Sequence, residues 1–134
     1  MPYSMFEHTA DIGIRVSSST LKDLYEEAAR AMIDVMGARS SGKYRKITTI
    51  DAQGIDREDL LVRWLQEILF LVLVRGFRME DIALESLTDT DICAQVIGEH
   101  SVDPLESEIK AVTYHHLHIR EVDNGFEVSI IFDI

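Results

Sequence analysis

Two carboxylates stand out for where the chain puts them. Asp11 lies in His8-Thr9-Ala10-Asp11-Ile12-Gly13 near the start, and Asp133 lies in Phe132-Asp133-Ile134 at the end. Both sit among apolar, strand-forming residues, where an ionised carboxylate without a partner is costly. The α-carboxylate of Ile134 adds a third anionic group beside Asp133. If the two ends meet in the fold, anionic oxygens gather at one place, and such a donor set suits Ca²⁺, Mg²⁺ or Mn²⁺.

The elements that must position these groups can be read from pattern. Asn124-Gly125 separates two β-rich runs within 109–134 and is a strong hairpin signal. A two-residue turn there pairs Asp123 with Phe126, Ile119 with Ile130 and Leu117 with Phe132, giving one apolar face. On the other face His116 falls opposite Asp133, His118 opposite Ile131, and Lys110 shares the parity of His116. Ile134 pairs with His115 in the same register. This predicts a polar cluster of Lys110, His116, Asp133 and the chain end; its plainest content is a cross-strand His–Asp contact with a surface lysine.

Upstream, Ile12, Ile14 and Val16 alternate with Gly13, Arg15 and Ser17, the pattern of a half-buried strand. Thr20 is a helix N-cap, with Leu21, Leu24, Ala28, Met32 and Val35 at helical spacing and Gly37 as the stop. A loop over 39–45 leads to a strand over 46–52. Asp56 caps a second helix, apolar nearly all round from Leu60 to Val74, which is the pattern of a central core helix. Strands follow around Ile82–Leu84 and Ile92–Ile97, then a loop over 100–108 containing Asp103-Pro104. The expected architecture is α+β: one domain over 1–134, two main helices packed with a β-sheet, and a C-terminal antiparallel hairpin.

Composition bounds the function classes. A net charge of −11 disfavours nonspecific binding to a nucleic-acid backbone and suits cations or a basic protein partner. The strongest apolar run, Ile68 to Val74, is far below the roughly 20 residues of a membrane span. No basic region followed by an apolar stretch opens the chain, so no signal peptide is expected. The single cysteine, Cys93, excludes an internal disulfide framework and reads as a strand-packing residue in a reducing cytosol. His116 and His118 have strand zinc-ligand spacing but lack a third located ligand. His8 is placed to orient Asp11 or its turn, or to serve as a hydrogen-bonded structural histidine. P-loop, dinucleotide, nucleophile-elbow and zincin signatures are missing.

Three separated segments together resemble the archease family. They are Glu7-His8-Thr9-Ala10-Asp11-Ile12-Gly13, Glu108-Ile109-Lys110-Ala111-Val112-Thr113-Tyr114-His115 and the ending Ile131-Phe132-Asp133-Ile134. Asp59-Leu60-Leu61-Val62-Arg63-Trp64-Leu65 is similar to the family's central helix, so the likeness spans the chain. The resemblance implies a small cytoplasmic accessory protein, without turnover of its own, for an RtcB-type tRNA-splicing ligase. It implies promotion of ligase guanylylation and multiple turnover, and broader nucleotide use. It also implies a metal site at Asp11, Asp133 and Ile134, with calcium as the ion, and an activating role for Lys110. His8 and His116 are then candidates to support the metal ligands from behind. Two other classes compete: a metal-dependent phosphoester hydrolase with His116 or His8 as base, and a protein-binding module whose charge cluster is only structural.

Overall fold

The computed structural model describes residues 2–8 and 11–134, the side chains of 6–8 excepted. Two antiparallel sheets sandwich two helices. Strands β1 (Tyr3–His8), β2 (Asp11–Ser18), β6 (Ala111–Val112), β7 (Arg120–Val122) and β8 (Gly125–Asp133) form the first sheet. Its order is β1-β2-β8-β6, with β7 also on β8. Strands β3 (Lys46–Gln53), β4 (Phe77–Leu87) and β5 (Asp91–His100) form the second, in the order β3-β5-β4. The class is α+β, as the periodicities indicated.

Helix α1 (Leu21–Met36) begins where Thr20 Oγ1 accepts from the Asp23 N–H at 3.1 Å, and ends at Gly37 with φ 68°. Helix α2 (Arg57–Arg75) begins where Asp56 accepts from the Asp59 N–H at 2.8 Å, and ends at Gly76. Ten α2 residues are buried, among them Leu60, Leu61, Trp64, Leu65 and Ile68, so it is the core helix its sequence indicates. Its outer face keeps Phe70, Leu73 and Val74 exposed. The helices are locked together by polar groups that burial leaves no water to serve. Trp64 Nε1–H donates to Tyr25 O at 3.0 Å, and the Tyr25 hydroxyl donates to Arg57 O at 2.5 Å. No helix among the described residues is long and apolar enough to cross a membrane.

The central event is the pairing of β2 with β8. Ile12↔Phe132, Ile14↔Ile130 and Val16↔Val128 lie opposite one another, and all six side chains are buried. Alternate residues, including Asp11, Arg15, Ser129 and Asp133, therefore share the outward face. Strand β1 was not expected; it adds to β2 and is tied to α1 by the Tyr3 hydroxyl, which donates to Asp34 at 2.5 Å. That bond, with burial, pushes the Tyr3 phenol up to about 12.

The C-terminal hairpin departs from the expected register. Val122 pairs with Gly125, so Asp123-Asn124 is the turn, and Glu121 faces Phe126. Only three residues of β7 pair; the chain then leaves the sheet over 113–119 and rejoins it as β6, where Ala111 faces Asp133. Asn124 and His116 take left-handed backbone, φ 66° and 52°. The predicted pairings of His116 with Asp133 and His115 with Ile134 are therefore not formed, and Ala111 rather than a residue of the Lys110 parity stands opposite Asp133.

In the second sheet Gly98 carries a strict steric constraint. A Cβ there would lie 1.9 Å from Arg78 O and 2.8 Å from the Phe77 ring, beside the register shift between Met79 and Asp81. Gly98→Ala should cost about 1–3 kcal/mol, as overpacking does. The readout is a lower urea midpoint; an unchanged midpoint would mean the strands do not approach this closely.

Candidate functional site

The register of β2 and β8 sets Asp11 directly opposite Asp133. Side chains in such a pair have Cβ atoms about 5 Å apart on one face. Asp11 is half-buried, and its Oδ1 is buried with no hydrogen-bond partner among the described residues. On the other side of β8, Ala111 faces Asp133 and the Lys110 N–H donates to Asp133 O at 2.7 Å. Asp11, Asp133, Ile134 and Lys110 thus converge at one end of the first sheet. Lys110 and Asp133 are exposed, and Lys110 forms no ion pair among the described residues. His8 is the backbone partner of Asp11 across β1–β2, and its side chain lies outside the described residues.

His116 does not belong to this end. The 113–119 excursion carries it to a hollow lined also by Arg15, His118, Arg120, Glu127 and Ser129. The excursion is held from below by the first turn of α2. Glu58 Oε2 accepts from the Ile119 N–H at 2.9 Å and lies 3.5 Å from His118 Nδ1. Asp59 accepts from the Tyr114 hydroxyl at 2.6 Å, the Ile55 N–H at 2.9 Å and Arg63 Nε at 3.0 Å. The Tyr114 bond first, then the Ile55 and Arg63 bonds, hold the Asp59 carboxyl below the usual carboxylate range. The same bond pushes the Tyr114 phenol up.

Among the described residues no three His, Cys, Asp or Glu side chains assemble into a metal cage. Any ion at the Asp11–Asp133 pair would need donors beyond these two carboxylates. His116 and His118 likewise gain no third zinc ligand among the described residues. Cys93 lies 3.7 Å from Glu85 Oε2, and desolvation with that carboxylate pushes its thiol up, which makes it a poor nucleophile.

The sequence profile of the Archease protein family (MTH1598/TM1083) matches residues 3–134. The chain belongs to the archease family. Protein archease of Methanosarcina barkeri is 34% identical over 140 residues, covering 98% of this chain and 95% of that one. Protein archease of Archaeoglobus fulgidus is 31% identical over 137 residues, covering all of both. The solution structure of Methanobacterium thermoautotrophicum protein 1598 superposes with a TM-score of 0.71 at 24% identity, over 99% of each chain. The crystal structure of a Thermotoga maritima archease, described as a possible chaperone, gives 0.66 at 21% identity, over 96% of this chain and 94% of that one. These two structures share the fold.

In this archease-family chain, sequence reasoning missed the anchoring roles of Glu58, Asp59 and Tyr114. Glu58 and Asp59 read as residues favoured by the α2 dipole, and nothing local links them to a loop some 60 residues on. A carboxylate held below its unfolded pKa adds stability that is complete above that value, near 4, and is lost as pH falls through the folded one. Tyr114→Phe should raise the Asp59 pKa towards the ordinary value and weaken the fold at neutral pH. The deficit against wild type should shrink as pH drops below about 4. Carbon-detected NMR titration of the Asp59 carboxyl and urea unfolding at both ends of the range check this. An unmoved Asp59 titration would mean the hydroxyl is not what holds the carboxylate.

Proposed function

We propose that this chain is a non-enzymatic, cytoplasmic accessory protein that activates an RtcB-type tRNA-splicing ligase. It promotes ligase guanylylation and multiple turnover through an acidic, metal-binding tip. The tip comprises Asp11, Asp133 and the main-chain oxygens of Ile134, with Lys110 as the activating residue beside them. The observation that carries this reading is Asp11 Oδ1, buried without a partner among the described residues, on a side chain that faces a second carboxylate across the strand pair. Such an oxygen is stabilised by a cation. The donors are all hard oxygens, which fits Ca²⁺ first and Mg²⁺ or Mn²⁺ next, and fits zinc poorly.

When bound, the ion supplies positive charge that offsets the two facing carboxylates. The chain's own residues do the rest. The β2–β8 ladder fixes the spacing of Asp11 and Asp133, and the Lys110 N–H bond to Asp133 O holds the lysine at the same edge. The net charge of −11 would steer this end towards a basic RNA-binding cleft. Membership of the archease family, and the description of the Thermotoga maritima protein as a possible chaperone, support an accessory role over turnover. The hydrolase alternative needs a base beside the carboxylate pair; of its two candidates, His116 lines the hollow around Arg15 and Ser129 instead, and the side chain of His8 lies outside the described residues.

Calcium at 100 times its Kd should stabilise the protein by about 2.7 kcal/mol, read as a raised Tm. Asp133→Asn should lose that increment, yet be at least as stable as wild type without metal, because a like-charge pair is relieved. Calcium stabilisation that survives Asp133→Asn would place the ion elsewhere.

Ligase guanylylation and multiple-turnover RNA joining test the function itself. Wild type should activate the ligase from its own source. Asp11→Ala, Asp133→Ala, Lys110→Ala and a tail appended after Ile134 should each lose activation while remaining folded. Full activation by the tailed protein would remove Ile134 from the ligand set. No activation by metal-loaded wild type would overturn the accessory role.

A further inference from the structure

The outward face of the first sheet has a second charged region that the acidic tip does not use. Along β2, Arg15 lies four residues from Asp11, about 13 Å at the usual strand rise. Its strand partner is Ser129, and Arg15 Nε–H donates to Ser129 Oγ at 3.4 Å. With His116, His118, Arg120 and Glu127 these residues line a polar hollow. Most arginines of the chain are matched to a carboxylate, as Arg30, Arg39, Arg57 and Arg63 are. Among the described residues Arg15 has no such ion pair, although the chain carries 24 acidic residues against 13 basic ones. Arg120 pairs with Glu127 through one guanidinium nitrogen, which leaves its other donors available.

The loop that closes the hollow is shaped at some cost. His116 holds left-handed backbone at φ 52°, and its ring meets that of His115 at 4.2 Å. Non-glycine residues in this conformation are uncommon and gather at binding sites. The Glu58 and Asp59 contacts keep the loop there. The result is a cationic and hydroxyl-bearing recess in a strongly acidic protein.

We infer that the Arg15–Ser129–Arg120 hollow, closed by His116, binds a phosphate group, carried by a nucleotide or free in solution. Arg15 and Arg120 offer forked N–H donors that match phosphate oxygens, and Ser129 offers a hydroxyl between them. This inference concerns the isolated protein and stands whether or not a ligase is activated.

The test is a ¹H–¹⁵N NMR titration of the full chain in chelator-containing buffer, so that no metal ion mediates the contact. The probes are inorganic phosphate, GTP, guanosine and a single-stranded RNA oligonucleotide without a terminal phosphate. Phosphate and GTP should cause saturable shifts centred on Arg15, Ser129 and residues 116–120, and guanosine none. Equal affinity for phosphate and GTP would identify free phosphate as sufficient; tighter GTP binding would identify the nucleotide as the source. Arg15→Gln should weaken binding at least tenfold and Ser129→Ala severalfold, both with spectra of a folded protein. Arg75→Gln, the same charge change at the far end of α2, should leave binding intact. Equal weakening by Arg75→Gln, shifts outside the hollow, or tighter binding of the RNA oligonucleotide than of GTP would each overturn the inference.

Discussion

Everything at the functional end of this protein depends on the eight rungs between β2 and β8, from Asp11↔Asp133 to Ser18↔Phe126. Side chains on a strand alternate with period two, so a one-residue slip of β8 along β2 would turn one strand's apolar set, such as Val128, Ile130 and Phe132, into water. Full burial of each such side chain is worth about 1.5–3 kcal/mol. A cross-strand pair of like charges acts on a smaller scale, roughly 0.2–1 kcal/mol. The apolar face therefore decides the register, and the facing carboxylates are carried along by it. Their repulsion is a tolerated consequence of the core, and it prepares the place where a cation would bind best.

The same parity rule that gathers Asp11 and Asp133 also gathers Arg15 and Ser129. One sheet face thus runs from an anionic end to a cationic one. What separates them on the β6–β7 side is the excursion over 113–119, and that excursion belongs energetically to α2. Glu58 and Asp59 sit in the helix's first turn, where negative charge is favoured, and each accepts a hydrogen bond from the loop through one carboxylate oxygen. The core helix therefore sets the position of surface histidines that lie far from it in sequence.

Local chemistry made much of this fold legible. Thr20 and Asp56 announce the helix starts, Gly37 and Gly76 the ends, and the alternation of Ile12 to Val16 announces β2. The family motifs brought Asp11, Asp133, Ile134 and Lys110 into one group, and the structure sets them at one end of one sheet. Pattern alone could not supply β1, whose Tyr3-Ser4-Met5 opening has weak alternation and is held by β2 and by Asp34. Nor could it place the hollow. Arg15 and Ser129 meet only through a pairing 114 residues apart in the chain. No local period records such a contact.

The hairpin error has a specific physical origin. Asn-Gly reads as a turn because both residues accept positive φ, and here only Asn124 uses that freedom. Gly125 is already the first residue of β8, and it is small for another reason. A Cβ on it would lie 2.2 Å from Ser18 O, at the last residue of β2. The glycine serves the contact between β8 and β2 rather than the turn between β7 and β8. Moving the turn back by one residue makes Glu127, rather than Ser129, the partner of Arg120. The strand partner of Arg120 is thus its ion-pair partner, and His116 is released from Asp133 to close the hollow above Ser129. A residue chosen for one strand's close approach thereby settles which histidine stands at which end of the sheet.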